Sequence, residues 1–232
     1  MARIAQTGSL RHLVRLFCVC TLHHSGGVAH IKGVAGTRAL GLLVMVRQLP
    51  RFKCLYCDHC CYFEKEYEMP TVFPWEKRLL EELAENLGVS LEFKPLQVYM
   101  DDKRSCIVTL YRWIIQGYCP FYDREKHRCR IHRDKPYACK MYPLLLEMPS
   151  GKLMLSGKCD WVANNKRVAE QLSRNVNLIP RVFPNEFEAA KNAFIEFSSI
   201  AEYVEKKGLK PVTDLKTCAT IMDIDEYIAR YG

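Results

Sequence analysis

The stretch CLYCDHCC, residues 54–61, places four thiols in eight positions. A chain cannot fold around such crowding without giving the sulfurs something to hold. A disulfide staple, a metal cage and a redox catalyst all use cysteine at this density. Eight of the twelve cysteines form an organised set: Cys54, Cys57, Cys60 and Cys61, then Cys119, Cys129 and Cys139 at ten-residue intervals, then Cys159. Cys18, Cys20, Cys106 and Cys218 lie outside the pattern. Cys106 sits in a strand-like apolar run and Cys218 on a helix-like stretch, and both read as small buried hydrophobes.

Disulfide frameworks belong to small, secreted, core-poor chains. With 232 residues, this chain is long enough for one large domain or two small ones and a self-sufficient core. Its head fails as an export signal, because Arg15 interrupts the apolar stretch and no small-residue cleavage site follows. Adjacent Cys60 and Cys61 cannot bridge each other without severe strain. A zinc knuckle needs only two close ligand pairs, whereas CxxCxxC offers three thiolates on one tight turn. The ferredoxin run shares that spacing and has its fourth cysteine before a proline; Cys119-Pro120 supplies such a pair at a distance. The pattern calls for thiolate coordination and leaves iron–sulfur and zinc both open. Neighbouring side chains of an extended segment point to opposite sides, so Cys60 and Cys61 are expected to face different places. His59 and His132 are candidate nitrogen ligands, although His59 reads better as an exposed or hydrogen-bonded side chain.

A net charge of +8 suggests a polyanion partner until its placement is read. Residues 1–50 hold six basic side chains and no acid, and the first acid is Asp58. The rest carries 28 basic against 26 acidic residues, nearly neutral, with no long-range field to draw in nucleic acid. No apolar run approaches the ~18 residues of a membrane helix; the longest, ALGLLVMV (39–46), meets Arg47. The expectation is a soluble, cytoplasmic protein with neither membrane nor nucleic acid as partner.

Residues 1–44 lack periodicity and are expected to be a disordered or over-extended start, with Met45 opening a natural short lead into the thiols. A transit peptide fits less well, since serines are few. Cys18-x-Cys20 with His23 and His24 reads as incidental. Residues 71–88 form the clearest helix, with Pro74 in the first turn, Gly88 at the end and an apolar face of Leu79, Leu80, Leu83 and Leu87. Residues 91–100 and 105–115 predict a hairpin, and 144–155 a smaller one turning at Pro149-Ser150-Gly151. Residues 117–158 break into short Cys- and Pro-punctuated pieces that need more than a hydrophobic core to hold them. Helical composition returns at 163–175, 185–207 and 212–230. The fold class is α+β: a cysteine-rich metal-centred domain over 45–160 with short strands and one clear helix, followed by a helical region over 161–232.

CLYCDHCC followed by CPFYDREKHRCRIHRDKPYACKMYPLLL (119–146) resembles the YkgJ-type cysteine-cluster family, a zinc- or iron-chelating domain. The matching positions are Cys54, Cys57, Cys60, Cys61, Cys119, Pro120, Phe121, Cys129, Ile131, Pro136, Cys139, Tyr142, Pro143 and Leu144. His132 stands where tyrosine is usual, and Lys135 and Lys140 where arginines are usual. Lysine lacks the arginine fork, so a bidentate anion grip is lost there. The resemblance covers about residues 50–160 and implies a metal- or cluster-binding cytoplasmic protein. Related modules occur in flagellin lysine methylases, but this chain has no glycine-rich loop after a strand to hold a nucleotide-like cofactor, and that activity is not carried over.

The resulting expectation is an iron–sulfur cluster, of the 4Fe-4S kind and with room for a zinc beside it, on Cys54, Cys57, Cys60, Cys61, Cys119, Cys129, Cys139 and Cys159, eight thiols being the count for two four-thiolate centres or for one cluster with spare ligands. It would serve electron transfer or a redox step with a protein partner. Lys135, Lys140, Arg130 and Arg133 are placed to offset its charge. The alternative is zinc fastening an otherwise coreless tract into a binding module. No HExxH or paired-carboxylate signature marks a hydrolytic site, and no catalytic residue is assigned. The surrounding aromatics read as packing, and Phe187, Phe194, Phe197 and Tyr203 form a stripe on a helix that covers the domain or meets a partner.

Overall fold

The computed structural model describes residues 49–232, so the expectations for residues 1–44, Cys18 and Cys20 among them, lie outside the described residues. In chain order the elements begin β1 (Tyr62–Phe63), β2 (Thr71–Val72), α1 (Pro74–Leu87), β3 (Glu92–Met100) and β4 (Ser105–Ile114). The thiol-bearing stretch follows with β5 (Gly117–Tyr118), β6 (Tyr122–Asp123), β7 (Arg128–Cys129), α2 (Tyr137–Lys140), β8 (Leu144–Glu147) and β9 (Lys152–Leu155). Then come α3 (Asp160–Asn164), α4 (Lys166–Arg174), α5 (Ile179–Val182), α6 (Pro184–Lys206), β10 (Lys210–Pro211), β11 (Thr220–Asp223) and α7 (Ile224–Tyr231). The fold is α+β, with a cysteine-rich region ahead of a largely helical C-terminal part.

SCIVTLYRWI, rich in β-branched and aromatic residues, becomes the central strand β4 and is buried along nearly its whole length. β3 runs antiparallel to it, from Glu92 opposite Ile114 to Met100 opposite Cys106, as the hairpin reading expects. The register slips around Gln97, just after Pro95, which has no N–H to give the ladder. Fully buried Thr109 answers the bulge by donating its hydroxyl to the Gln97 carbonyl, 3.2 Å away. The other edge of β4 is shared: β11 pairs with its first half in parallel, and β2 with its second half antiparallel.

β11 and α7 correct the helix expected across 212–230. TIMD has β-branched residues and a neighbouring strand edge, and that long-range pairing overrides local helical composition. Cys218 precedes β11 and is bonded to Cys106 of β4 in a disulfide, with Cα atoms 5.5 Å apart. Both cysteines were expected as unpaired hydrophobes; the parallel pairing, invisible in the sequence, brings them together.

α1 has the expected boundaries: Pro74 starts it, Glu76 accepts from the Phe73 N–H, and Gly88 ends it at φ 65°. Its buried face is rotated from the expected one. Leu80 and Ala84 are buried, whereas Leu79 and Leu87 are 41% and 39% exposed. The pieces of residues 117–158 are not coreless. Phe121 and Ile131 enter the core of Val72, Leu80 and Trp113, and Leu144 enters that of Trp161, Leu172 and Phe183. α6 presents Ala189, Ala190 and Ala193 to Met141 of the α2 end, small residues that let the two chains approach closely. Its aromatic residues cover the domain: Phe187 packs on the core of Leu144 and Trp161, Tyr203 on that of Tyr99 and Ile107, Phe194 lies by Gly151 and Phe197 borders a cavity. Among the described residues no helix is long and apolar enough to cross a membrane.

Candidate metal centre

Short backbone ladders bring the separated cysteines together. β1 pairs with β5, Tyr62 opposite Tyr118, and the Cys119 N–H donates to the Cys61 carbonyl at 2.7 Å. The turn before it closes through Cys61 N–H to the Asp58 carbonyl, while the Tyr118 hydroxyl donates to the Asp58 carboxylate at 2.8 Å. β6 and β7 place Tyr122 opposite Cys129, and the Tyr122 N–H returns to the Cys119 carbonyl, so Cys119 and Cys129 sit on one small hairpin. Cys139 rides on α2. The first N–H of that turn, on Tyr137, donates to Glu76 Oε1 at 2.7 Å, while Glu76 Oε2 accepts from Phe73 N–H at 3.1 Å. Cys159 caps α3.

A repeated local device surrounds the sulfurs. Cys54 Sγ accepts a hydrogen bond from the Tyr56 N–H at 3.4 Å, and at Cys57, Cys119, Cys129 and Cys159 the main-chain N–H two residues on (His59, Phe121, Ile131 and Trp161) favours the negative form of the sulfur. The Asp160 N–H acts in the same sense on Cys57, and the Val162 N–H on Cys159. Such donors favour a negative sulfur and tune metal–thiolate centres.

Burial works the other way. It pushes Cys57, Cys129 and Cys159 up, Cys119 to about 12, and Cys139 well above its ordinary range, with neighbouring thiols adding to the rise at each. The hydrogen bond shared by Cys60 and Cys61 lowers the first and raises the second. Their sulfurs are 3.8 Å apart, which corrects the expectation that they face opposite ways. Alternation holds for extended chain, and these two lie in a turn. Sulfurs desolvated together, yet furnished with N–H donors, suit a soft cation better than eight protons. In donor chemistry the set therefore fits zinc, iron or an iron–sulfur group.

Of the four expected counter-charges, Lys135 faces Cys60, Cys129 and Cys139, and Arg130 faces Cys119 and Cys129. Lys140 instead lies over the Tyr137 ring, and Arg133 is exposed. His132 is lowered chiefly by Lys135. His59 is exposed, with Nε2 3.1 Å from Asp160 Oδ1.

A cavity of about 240 Å³ opens beside the thiols. Seven of the eight border it, all but Cys159, facing Glu76, Arg112, Tyr142, Met148 and Phe197. Among the described residues no three His, Cys, Asp or Glu side chains converge closely enough to grip one ion as placed. The sulfurs ring a space instead of meeting at a point. Sequence reasoning missed Glu76 as the anchor of the Cys139 turn, the His59–Asp160 pair and the cavity wall from α6. Only Glu76 had a signal, and that signal spoke for helix capping alone.

The profile of the family described as "CxxCxxCC: Putative zinc- or iron-chelating domain" matches residues 53–170. An uncharacterized protein of Methanocaldococcus jannaschii, MJ0661, is 27% identical over 105 residues, covering 45% of this chain and 51% of that protein. The chain thus spans about half the length of the curated relative it matches. No solved structure matches.

Proposed function

Because the chain belongs to the CxxCxxCC zinc- or iron-chelating family and so binds metal, we propose that its thiols carry an iron–sulfur cluster used in electron transfer or a redox step. The observation that carries this reading is that seven of the sulfurs line one cavity, with neighbouring main-chain N–H groups favouring their negative form. One tetrahedral ion with bonds of ~2.3 Å holds its sulfurs about 3.8 Å apart in every pair. Only Cys60 and Cys61 stand at that spacing as a hydrogen-bonded thiol pair among the described residues. A core of several metal atoms takes ligands spread more widely. When bound, the cluster supplies a one-electron couple whose potential follows burial and hydrogen bonds to sulfur.

The chain's own residues set those conditions. Phe121 and Ile131 N–H stabilise negative sulfur, Lys135 and Arg130 offset the charge, and Trp113, backed by the Phe121 ring, excludes water from one wall. The loop bearing Cys54 leaves Leu55 and Tyr56 exposed, 50% and 57%. A redox partner protein would find the centre close to the surface there.

A second reading, zinc in a binding module, draws on the 3.8 Å spacing of Cys60 and Cys61, which one zinc ion also satisfies. Anaerobic purification followed by visible absorption and assay of iron, sulfide and zinc separates the two. A brown protein with iron and sulfide is expected. A colourless protein with stoichiometric zinc overturns the redox reading.

A further inference from the structure

Resting on the redox reading above, we propose that the β6–β7 hairpin, with the chain that follows it to Lys135, is a docking face for the partner, and that the partner is a small acidic electron-carrier protein.

Charge singles this face out. Residues 123–135 hold six basic and three acidic side chains, whereas the rest of the chain beyond residue 50 holds 22 basic and 23 acidic. The positive excess of that part of the molecule therefore lies on one short stretch. Arg124, Lys126, Arg128 and Arg133 are all exposed, and among the described residues none of them joins an ion pair. The nearby acids are turned to other uses: Asp123 accepts from the main-chain N–H groups of Glu125 and Lys126, and Asp58 from the Tyr118 hydroxyl. Asp123 and Arg128 face each other across the ladder, so Arg124, Lys126 and Arg128 share one turn. Cations that close act together at a Debye length of ~10 Å.

An ordered aromatic row stands beside them. The Tyr118 ring stacks on that of Tyr122 at 5.8 Å and meets that of Tyr62 edge-on at 4.9 Å, and Tyr62 is 41% exposed. Arg124 lies over Tyr118, 4.7 Å from the ring centre. Tyrosine and arginine are the side chains that most often dominate a protein interface, and these are already held in place, which lowers the entropic cost of docking.

The face also belongs to the centre. Cys129 is part of the hairpin, and Tyr62, Tyr122 and Arg128 border the cavity that the thiols line. The exposed loop of Cys54 reaches the same cavity through Tyr56. Redox encounters use small interfaces steered by opposite charge. Nucleic acid, a long polyanion, would run past the hairpin onto a surface with no further positive excess. An acidic protein of small footprint would not.

The test uses the full chain, purified without oxygen, and a plant-type 2Fe-2S ferredoxin as the acidic one-electron carrier. A carbodiimide should cross-link the two through lysine and carboxylate, and the Kd should weaken steadily as salt rises. In stopped flow one electron leaves the reduced ferredoxin and enters the oxidised cluster with no other bond made or broken, and the second-order rate should fall with salt. Lys126→Glu combined with Arg133→Glu should lower that rate at low salt about tenfold or more, with iron content and midpoint potential unchanged. Lys206→Glu combined with Lys210→Glu, the same charge change outside the hairpin, should lower it far less. Absence of a complex, binding and rates indifferent to salt, an equal loss from the control pair, or tighter binding of a short DNA duplex would each overturn the docking face. A wild-type chain without iron would instead overturn the redox reading beneath it.

Discussion

Replacing Cys218 with alanine opens the bridge to Cys106 and frees a loop of 112 residues. In the chain-entropy account, closing a loop of that length stabilises the folded state by about 4.8 kcal/mol at 25 °C. Little else should change. Cys106 remains a small apolar group, fully buried with Val98 and Val108, and Cys218 only borders that cluster. What then retains β11 is its pairing with β4, the Arg104 bonds to the Thr217 carbonyl, and the contacts of Arg78 with Asp223 and Asp225. Those ion pairs are exposed and each contributes about 0–1 kcal/mol. At roughly 2–4 °C per kcal/mol for a chain of this size, the melting temperature should fall by about 10–20 °C. The assay is thermal and urea unfolding of wild type and Cys218→Ala, with and without a thiol-free reductant. Reductant should bring wild type down to the variant and leave the variant unmoved. If the two chains unfold together in its absence, the bridge contributes nothing and the entropic reasoning is wrong.

Glu76→Gln keeps one carbonyl oxygen but turns an amide N–H toward one of two main-chain donors, leaving a buried N–H unsatisfied at a cost of about 1–3 kcal/mol. Urea unfolding should show that loss, and metal retention should fall with it because the Tyr137 N–H anchors the Cys139 turn. Burial raises the Glu76 carboxyl above 4.5 in the folded protein. The folded state therefore keeps a proton that the unfolded chain has shed, and the wild-type advantage over the variant should shrink as pH rises from 4.5. A gap that widens with pH refutes this. Gly88→Ala meets no atom within 4 Å, so its cost is the left-handed backbone alone, about 1–2 kcal/mol. Gly151→Ala adds a 3.1 Å contact with Phe194 and should cost more in the same unfolding assay.

The sequence was legible where one local rule governed the outcome. Pro74, Glu76 and Gly88 set the limits of α1, and alternation with turn residues set both hairpins. It misled where distant chain decided. Which leucines of α1 are buried depends on where β2 and β4 lie, and Leu79 and Leu87 face solvent for that reason. Thr220–Asp223 is a strand because β4 has a free edge beside it. Thiol spacing named the cysteines worth watching, yet a one-dimensional pattern carries no information on which sulfur stands beside which. Pairing Cys60 with Cys61 required the turn. Glu76 lay in plain view as a cap, but its second bond crosses 61 residues.

The main-chain hydrogen bond that joins Cys61 to Cys119 has a consequence for how the molecule is made. Cys159 leaves the ribosome about 100 residues after Cys54, an interval of roughly 5–20 s at ordinary synthesis rates. Cys119 follows Cys54 by 65 residues, so for more than half of that interval the first four thiols have none of their distant partners, and the set is complete only with Cys159. The nascent chain is thus most vulnerable to oxidants and stray metal during translation, and a cell that slows synthesis across residues 119–159 would lengthen the danger.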